Sequence, residues 1–482
     1  MIFWRVKPLD QILETAAKKS LKRQLGAFQL TMLGIGAIIG TGIFVLTSVA
    51  ANKAGPGMIY SFMIAAVVCA LTALVYAEIA SMVPVAGSAY TYSYAVLGEF
   101  IAWLVGWALI LEYAVAAGAV AVGWSGYING FLAELGYGLP LALTAGPADT
   151  ITLADGTTSG GAFNLLAFLI ALAVTWLLVI GTSKSAKVNT VLVAIKVAAL
   201  TVFILLALPA VNVANFEPML PNGWGTPLSS VGVLGAAASI FFAYVGFDAV
   251  STAAEETKNP NRNVPIGLIA SLAVCTVFYM LVAYAATGAV GAQPGGALSQ
   301  SKEPLAFVLR EIGYSQVGNW VAAAAIIALP SVILMMIYGQ TRILFVMSRD
   351  GLMPSIFSKI HPKYHTPHVV TIITGIAVSL FAAVFPVGML ADISNSGTLF
   401  AFFVVAFGVM ALRKTQPDRF RPFRAPLLWL VGPAAMIGCA ILFVSLGWYT
   451  IQLFLIWAVI GLAVYFLYSK NRSEMAPGNS PR

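Results

Sequence analysis

Long apolar runs separated by short polar joints set the pattern of this chain. Twelve runs have the length of a membrane-crossing helix, at 28–47, 59–82, 97–131, 163–181, 188–208, 230–254, 265–287, 315–342, 368–386, 391–412, 426–445 and 447–468. A bilayer core about 30 Å thick is spanned by roughly 20 such residues in helical form. Glycine and proline fall inside several runs, which is ordinary in transmembrane helices and argues against a β-barrel. The pattern predicts an all-α polytopic membrane protein.

Two runs are interrupted. In the first, Gly34-Ile35-Gly36-Ala37-Ile38-Ile39-Gly40-Thr41-Gly42-Ile43-Phe44 places four glycines in nine positions, each costing a helix about 1 kcal/mol relative to alanine. Unwound backbone at membrane depth is tolerated only against protein or a water-filled cavity. The run therefore reads either as a binding site or as a close helix-packing seam, since Gly36 and Gly40 also form a GxxxG pair. In the sixth run, Phe241-Phe242-Ala243-Tyr244-Val245-Gly246-Phe247-Asp248 brings glycine and an acid into a span. If the first ten spans form two five-span halves, the two breaks stand in corresponding positions, and an odd number of spans makes the halves opposite in topology. Paired interruptions of this kind point to a transporter site built on inverted repeats.

Composition agrees. The chain is 60% hydrophobic and 9% charged, with mean hydropathy +0.91, against about 25% charge in soluble domains. Of the 26 lysines and arginines, Lys53, Lys302 and Arg310 fall on one side of the membrane in a twelve-span reading, and Lys196 lies inside a span. All the others gather with the two termini. That asymmetry predicts cytoplasmic termini in a cell membrane and assigns the formal charge of +8 to topology and anionic lipid rather than nucleic acid. Residues 1–27 are basic and show no cleavable signal pattern. Cys69, Cys275 and Cys439 all lie in spans, which gives no disulfide framework and no metal-ligand grouping. The expected organisation is a cytoplasmic segment 1–27, a first five-helix repeat 28–208, a second 230–412, two further helices 426–468 and a cytoplasmic tail 469–482. The uncharged, aromatic stretch Met82–Gly98 is expected to dip back toward the membrane.

At specific motifs the chain resembles the amino acid–polyamine–organocation transporter superfamily, nearest its cationic amino acid transporter branch and bacterial relatives. The motifs are Gly34 to Phe44, Tyr76-Ala77-Glu78 with Pro84…Gly87-Ser88-Ala89-Tyr90, the sixth-span run to Asp248, Glu255-Glu256-Thr257-Lys258-Asn259-Pro260…Asn263-Val264-Pro265-Ile266-Gly267, and Gly339-Gln340-Thr341-Arg342…Ser348-Arg349-Asp350-Gly351-Leu352-Met353-Pro354. The resemblance implies the LeuT-like fold, two inverted five-helix repeats with helices 1 and 6 broken, plus two extra helices, and alternating access. It departs from the fourteen-span animal transporters.

An amino acid offers one carboxylate and one ammonium. A half-helix starting near Thr41 points free N–H groups at an anion, and the resemblance puts the carboxylate on Gly40, Thr41 and Gly42. The ammonium would meet carbonyls of Ile38, Phe242, Ala243 and Val245, with Phe242 or Phe247 covering the substrate. Ordinary helix packing is the competing use of each aromatic.

Lys196 lies near the centre of its span, roughly 12 Å of helix from either end, too far to snorkel. Burial disfavours its charged form, as a proton carrier requires. The resemblance agrees, placing such a lysine against first-span carbonyls near Gly34 and Ala37 and the eighth span, with Ser331 as a partner. A structural ion pair is the alternative. Glu112, mid-span, could accept a cationic substrate, pair with Lys196, carry a proton or make a structural hydrogen bond. Glu78 and Asp248 read as structural. Glu255, Arg342 and Arg349 read as gate or loop-fastening ion pairs, or as solvated ones. Met335, Met336 and Asn395 would line a side-chain pocket or simply pack.

The expectation is an importer of an L-amino acid, small and neutral such as alanine or else cationic such as arginine, coupled to protons and needing no other cofactor. Amino acid exchange without net proton movement is the alternative. An amino-acid sensor is disfavoured by the short tails. An enzyme is disfavoured because the three histidines (His361, His365, His368) share one loop with no matching nucleophile.

Overall fold

A computed structural model describes residues 5–6, 25–83, 88–152, 158–181 and 186–476. Most of the basic N-terminal segment, Pro84 to Gly87 of the second motif, Lys184 and the end of the tail lie outside the described residues, as does the side chain of Glu255.

Each of the twelve apolar runs coincides with a helix or a group of helices. The first is divided into α1 (Ala27–Ile38), α2 (Thr41–Phe44) and α3 (Leu46–Ala54). It is followed by α4 (Met58–Met82), α5 (Ser88–Val96), α6 (Glu99–Glu134), a short α7 (Leu141–Thr144), α8 (Leu165–Ile180) and α9 (Ala186–Ala207). The second half opens with α10 (Gly232–Tyr244) and α11 (Ala249–Thr252), the divided sixth run. Then come α12 (Pro260–Val290), α13 (Ala297–Gln300), α14 (Pro304–Glu311), α15 (Ser315–Arg349), α16 (His368–Val384) and α17 (Val387–Thr415). The chain closes with α18 (Leu428–Val444), α19 (Trp448–Val464) and, after a π-turn, α20 (Lys470–Arg472). The described strands are one small hairpin, Thr150–Thr152 against Thr158–Gly160.

Among the described residues, seven helical stretches are long and apolar enough to cross a membrane, and five shorter apolar helices accompany them. Two of the five, α1 and α10, are short because the breaks end them. A third, α8, stops at Gly181, whose left-handed backbone (φ 78°) ends the helix. The protein is a helical, multi-pass membrane protein.

Helices of the first five runs pack on helices of the sixth to tenth. Helix α4 lies on α12, α6 on α15, and α8 on α16, while α2 and α3 both touch α10. Helix α6 also packs along α17, so that α6 reaches both α15 and α17 across the centre of the bundle.

Two loops carry more structure than their composition suggests. The segment after Met82 forms α5, whose Tyr90, Tyr92 and Tyr94 are buried where α5 packs on α6 and α17. The glycine- and proline-rich stretch after Val290 holds α13 and α14, and α14 buries Leu305, Val308 and Leu309. An apolar face at helical spacing folds onto the bundle even inside a polar loop.

Candidate functional site

The first break is a change of backbone direction at two residues. Ile39 turns extended (φ −71°, ψ 99°) and Gly40 is fully extended (φ −149°, ψ −148°) before helix resumes at Thr41. The second break runs through a turn at 245–248, where Val245 is extended (ψ 141°) and Gly246 has φ 114°. That conformation is open to glycine and costly for any residue with a Cβ.

The two breaks face each other. A Cβ on Gly42 would overlap the backbone of Ala243, and one on Gly246 would sit 3.0 Å from the Ala37 carbonyl oxygen. The glycines thus do both things the sequence left open: Gly42 is a packing seam, and Gly40 is the point of unwinding. Gly34 and Gly36 also pack closely, against Ser271 and Val193.

Tyr279 of α12 ties the broken ends together. Its hydroxyl lies 2.8 Å from the Ile38 carbonyl and 3.0 Å from the Ala243 carbonyl. One proton serves two acceptors there, so both oxygens keep lone pairs. Phe242's carbonyl accepts the Val245 N–H at 3.3 Å. Two of the four carbonyls expected to be open to an ammonium therefore already meet a hydroxyl, and a third closes a turn.

Helix α2 begins at Thr41, so the N–H groups of its first turn have no partner within the helix. The Thr41 hydroxyl is buried and has no hydrogen-bond partner. Gly123 of α6 leaves room for it, since a Cβ there would press on Thr41. Gly40 faces Val332 of α15, and Met336, one turn further along the same face, is buried.

Lys196 is 1% exposed, and its Nζ donates to the Gly36 carbonyl at 2.9 Å. In an unbroken helix that oxygen would accept from Gly40; the break removes that partner. The close fit of Gly36 against Val193, one turn before Lys196, lets α9 come near enough. The carbonyl lies between the two residues expected from the sequence, Gly34 and Ala37. The Ser331 hydroxyl donates to Ala328 of its own helix at 2.7 Å.

Glu112 is buried, with Oε2 lacking a hydrogen-bond partner. It faces α17: its carbonyl accepts from Ser394 at 3.1 Å, and a Cβ on Gly397 would lie 3.3 Å from its own Cβ. The sequence also allowed it to pair with Lys196; the lysine instead bonds to the first break.

The family model described as amino acid permease matches residues 25–469. The chain belongs to the amino acid permease family. This places it within the superfamily whose motifs it carries. It is 46% identical to a branched-chain amino acid permease, BcaP, of Bacillus subtilis (strain 168), over 98% of this chain and 99% of the relative. A methylthioribose transporter of the same organism is 43% identical over 98% of both chains. Cationic amino acid transporter 9, chloroplastic, of Arabidopsis thaliana is 37% identical over 87% of this chain and 71% of the relative.

The remaining candidates of the permease divide by their neighbours. Phe247 is locked edge-on against Tyr76 (6.0 Å between ring centres) and beside Phe402 (5.2 Å), a packing role, which leaves Phe242 as the aromatic at the break. Asn395 donates to the Ala238 and Ser239 carbonyls at 2.7 and 3.0 Å, clamping α17 to α10. Met335 is half-buried. Arg342 stacks on Tyr338 of its own helix, 4.6 Å from the ring centre, and is exposed like Arg349. Among the described residues, a loop-fastening cluster forms at Glu78. Glu78 binds Arg413 and Arg421 and accepts the Ala425 N–H at 2.8 Å. Asp248 accepts from Tyr113 at 3.2 Å.

Sequence reasoning missed a latch at the opposite end of the breaks. Lys53 of α3 donates to Asp392 of α17 at 2.7 Å and to Ser239 of α10 at 2.5 Å, and Ser239 donates to Asp392. One cation thereby joins three helices that border the site. A base shortly after the first run and an acid at the start of the tenth were visible in the sequence, but nothing there put them in contact. Tyr279 was missed for the same reason, as an unremarkable aromatic in an apolar run.

Proposed function

We propose that this permease imports a neutral aliphatic L-amino acid together with a proton by alternating access, in the LeuT-like arrangement of two inverted five-helix repeats, 28–208 and 230–412, with 426–468 added. In this reading twelve spans cross the cell membrane and both termini are cytoplasmic. The packing of second on seventh, third on eighth and fourth on ninth runs supports a two-fold relation between the halves. The carboxylate would sit on the first-turn N–H groups at Thr41 and Gly42 beside the Thr41 hydroxyl. The ammonium would meet the free lone pairs of Ile38 and Ala243 and the Val245 carbonyl.

The observation that carries the reading is the contact of Lys196 with Gly36. The oxygen is available because α1 ends two residues later, so any change in the substrate-bearing break is felt by the lysine. A charged ammonium holds the carbonyl; a neutral amine holds it less well. Protonation and the shape of the site are thereby linked. Protein reconstituted in liposomes should accumulate substrate under an inward proton gradient, and Lys196→Met should abolish that accumulation while leaving counterflow exchange. Full gradient-driven uptake by Lys196→Met would overturn the coupling.

For the substrate, the small residues Ala114, Ala116, Ala117 and Gly118 of α6 suit a small neutral side chain, and the branched-chain name of the 46% identical relative falls in the same neutral class. The partnerless Glu112 oxygen favours a second reading, a cationic substrate. A thermal-shift panel of the twenty amino acids plus methylthioribose separates these: stabilisation by valine or alanine supports the first, by arginine the second.

A further inference from the structure

A groove of about 610 Å³ opens on the outside of the bundle, between the N-terminal turns of α12 and the segment joining α17 to α18. One wall is a single stripe of α12: Arg262, Pro265 and Ile266, then Ile269, at helical spacing. The other wall is aromatic, with Phe420 and Phe423. Along the stripe a cation gives way to hydrocarbon over roughly 10 Å of helix.

The aromatic wall is built rather than loose. Arg421 is buried, and its guanidinium donates to the carbonyls of Gln416 (2.8 Å), Pro417 (3.0 Å) and Arg419 (2.7 Å) while pairing with Glu78. Burial pulls its pKa below the usual arginine value, against the pull of Glu78. Ser81 accepts the Phe423 N–H at 3.3 Å, and Glu78 accepts that of Ala425. Between these anchors Phe420 stands 79% exposed. Beside the apolar stripe of α12, the exposed ring completes a continuous apolar surface of the kind that marks an interaction site.

We propose that this groove binds one anionic phospholipid, its acyl chain between Ile269 and Phe420 and its phosphate at Arg262. Charge selects the occupant. Arg413 and Arg421 are taken up by Glu78, but Arg262, Lys414 and Arg424 are exposed around the groove, and the single acid of residues 413–424 is Asp418. Basic residues close to a membrane attract anionic headgroups, and an arginine matches a phosphate with two donors at once. A bound lipid would hold α12, and with it Tyr279 and the two broken helices, against the segment that Glu78 anchors. The proposal rests on the cytoplasmic placement of this face, which cysteine labelling tests on its own.

The test is native mass spectrometry of full-length protein released from vesicles of phosphatidylglycerol or of phosphatidylcholine with identical chains. The wild type should retain one phosphatidylglycerol about tenfold more often than phosphatidylcholine. Arg262→Gln should remove most of that preference, and Phe420→Ala should lower retention of both lipids. Both positions are exposed, so melting temperatures should stay close to wild type. Equal retention of the two lipids by the wild type, or unchanged retention in both variants, would overturn the site. If a second copy of the chain or its own N-terminal segment filled the groove instead, neither vesicle would leave a lipid bound, which also overturns it.

Discussion

Lys196 and Tyr279 act on the same broken helix from two sides. Lys196 holds the Gly36 carbonyl, and Tyr279 holds the Ile38 carbonyl two residues later together with Ala243. A buried hydrogen bond contributes on the order of 1 kcal/mol net, and more when one partner is charged. Tyr279→Phe should therefore leave a folded protein that melts a few degrees lower, with KM for substrate raised about tenfold because the two breaks lose their common tether. Uptake measured against external pH should rise as pH falls in the wild type. In Lys196→Met, exchange should be flat over the same range, since the group proposed to titrate is gone. Glycine positions are as strict. Gly42→Val places a side chain into the Ala243 backbone, and overpacking of that kind costs typically 1–3 kcal/mol. Loss of substrate-induced thermal shift is expected. The residue types at these points were legible in the chain; their partners were not, because Tyr279 lies far from Ile38 in sequence.

At the scale of elements, the latch of Lys53, Ser239 and Asp392 closes the end of the site away from Lys196's helix break. It links α3, α10 and α17, and Asn395, one turn along α17, adds a second clamp on α10. Leaving a buried polar group unsatisfied costs on the order of 1–3 kcal/mol, and more for a charged one such as Asp392. Lys53→Ala should shift the protein toward conformations open at this end. Hydrogen exchange read by mass spectrometry should rise in 46–54 and 232–244 and stay unchanged in 99–134. Unaltered exchange in the first two segments would show that the latch does not hold the helices closed. The breaks themselves were legible, since four glycines within nine positions and a glycine followed by Phe247 and Asp248 are poor helix formers. That α14 would fold back onto α15 was less visible, because its apolar face spans only eight residues within a glycine-rich stretch.

For the whole molecule, the uneven placement of lysine and arginine predicts which face meets the cytoplasm. In a cysteine-free background, a cysteine at Tyr137, in the exposed turn after α6, should react with an impermeant maleimide on intact cells. One at Lys359 should react only after lysis. The reverse would invert the topology.

The sequence alone determined the membrane class, the twelve helical units, the two broken runs and, through its motifs, membership of the amino acid permease family. These follow from hydrophobicity and backbone propensity, which act locally and leave their mark in consecutive residues. The tertiary structure decided what each glycine serves, which carbonyl Lys196 holds, that Tyr279 joins the breaks, and that Lys53 meets Asp392. Those are contacts between different helices, 36 to 339 residues apart, set by how helices pack rather than by what any one helix contains.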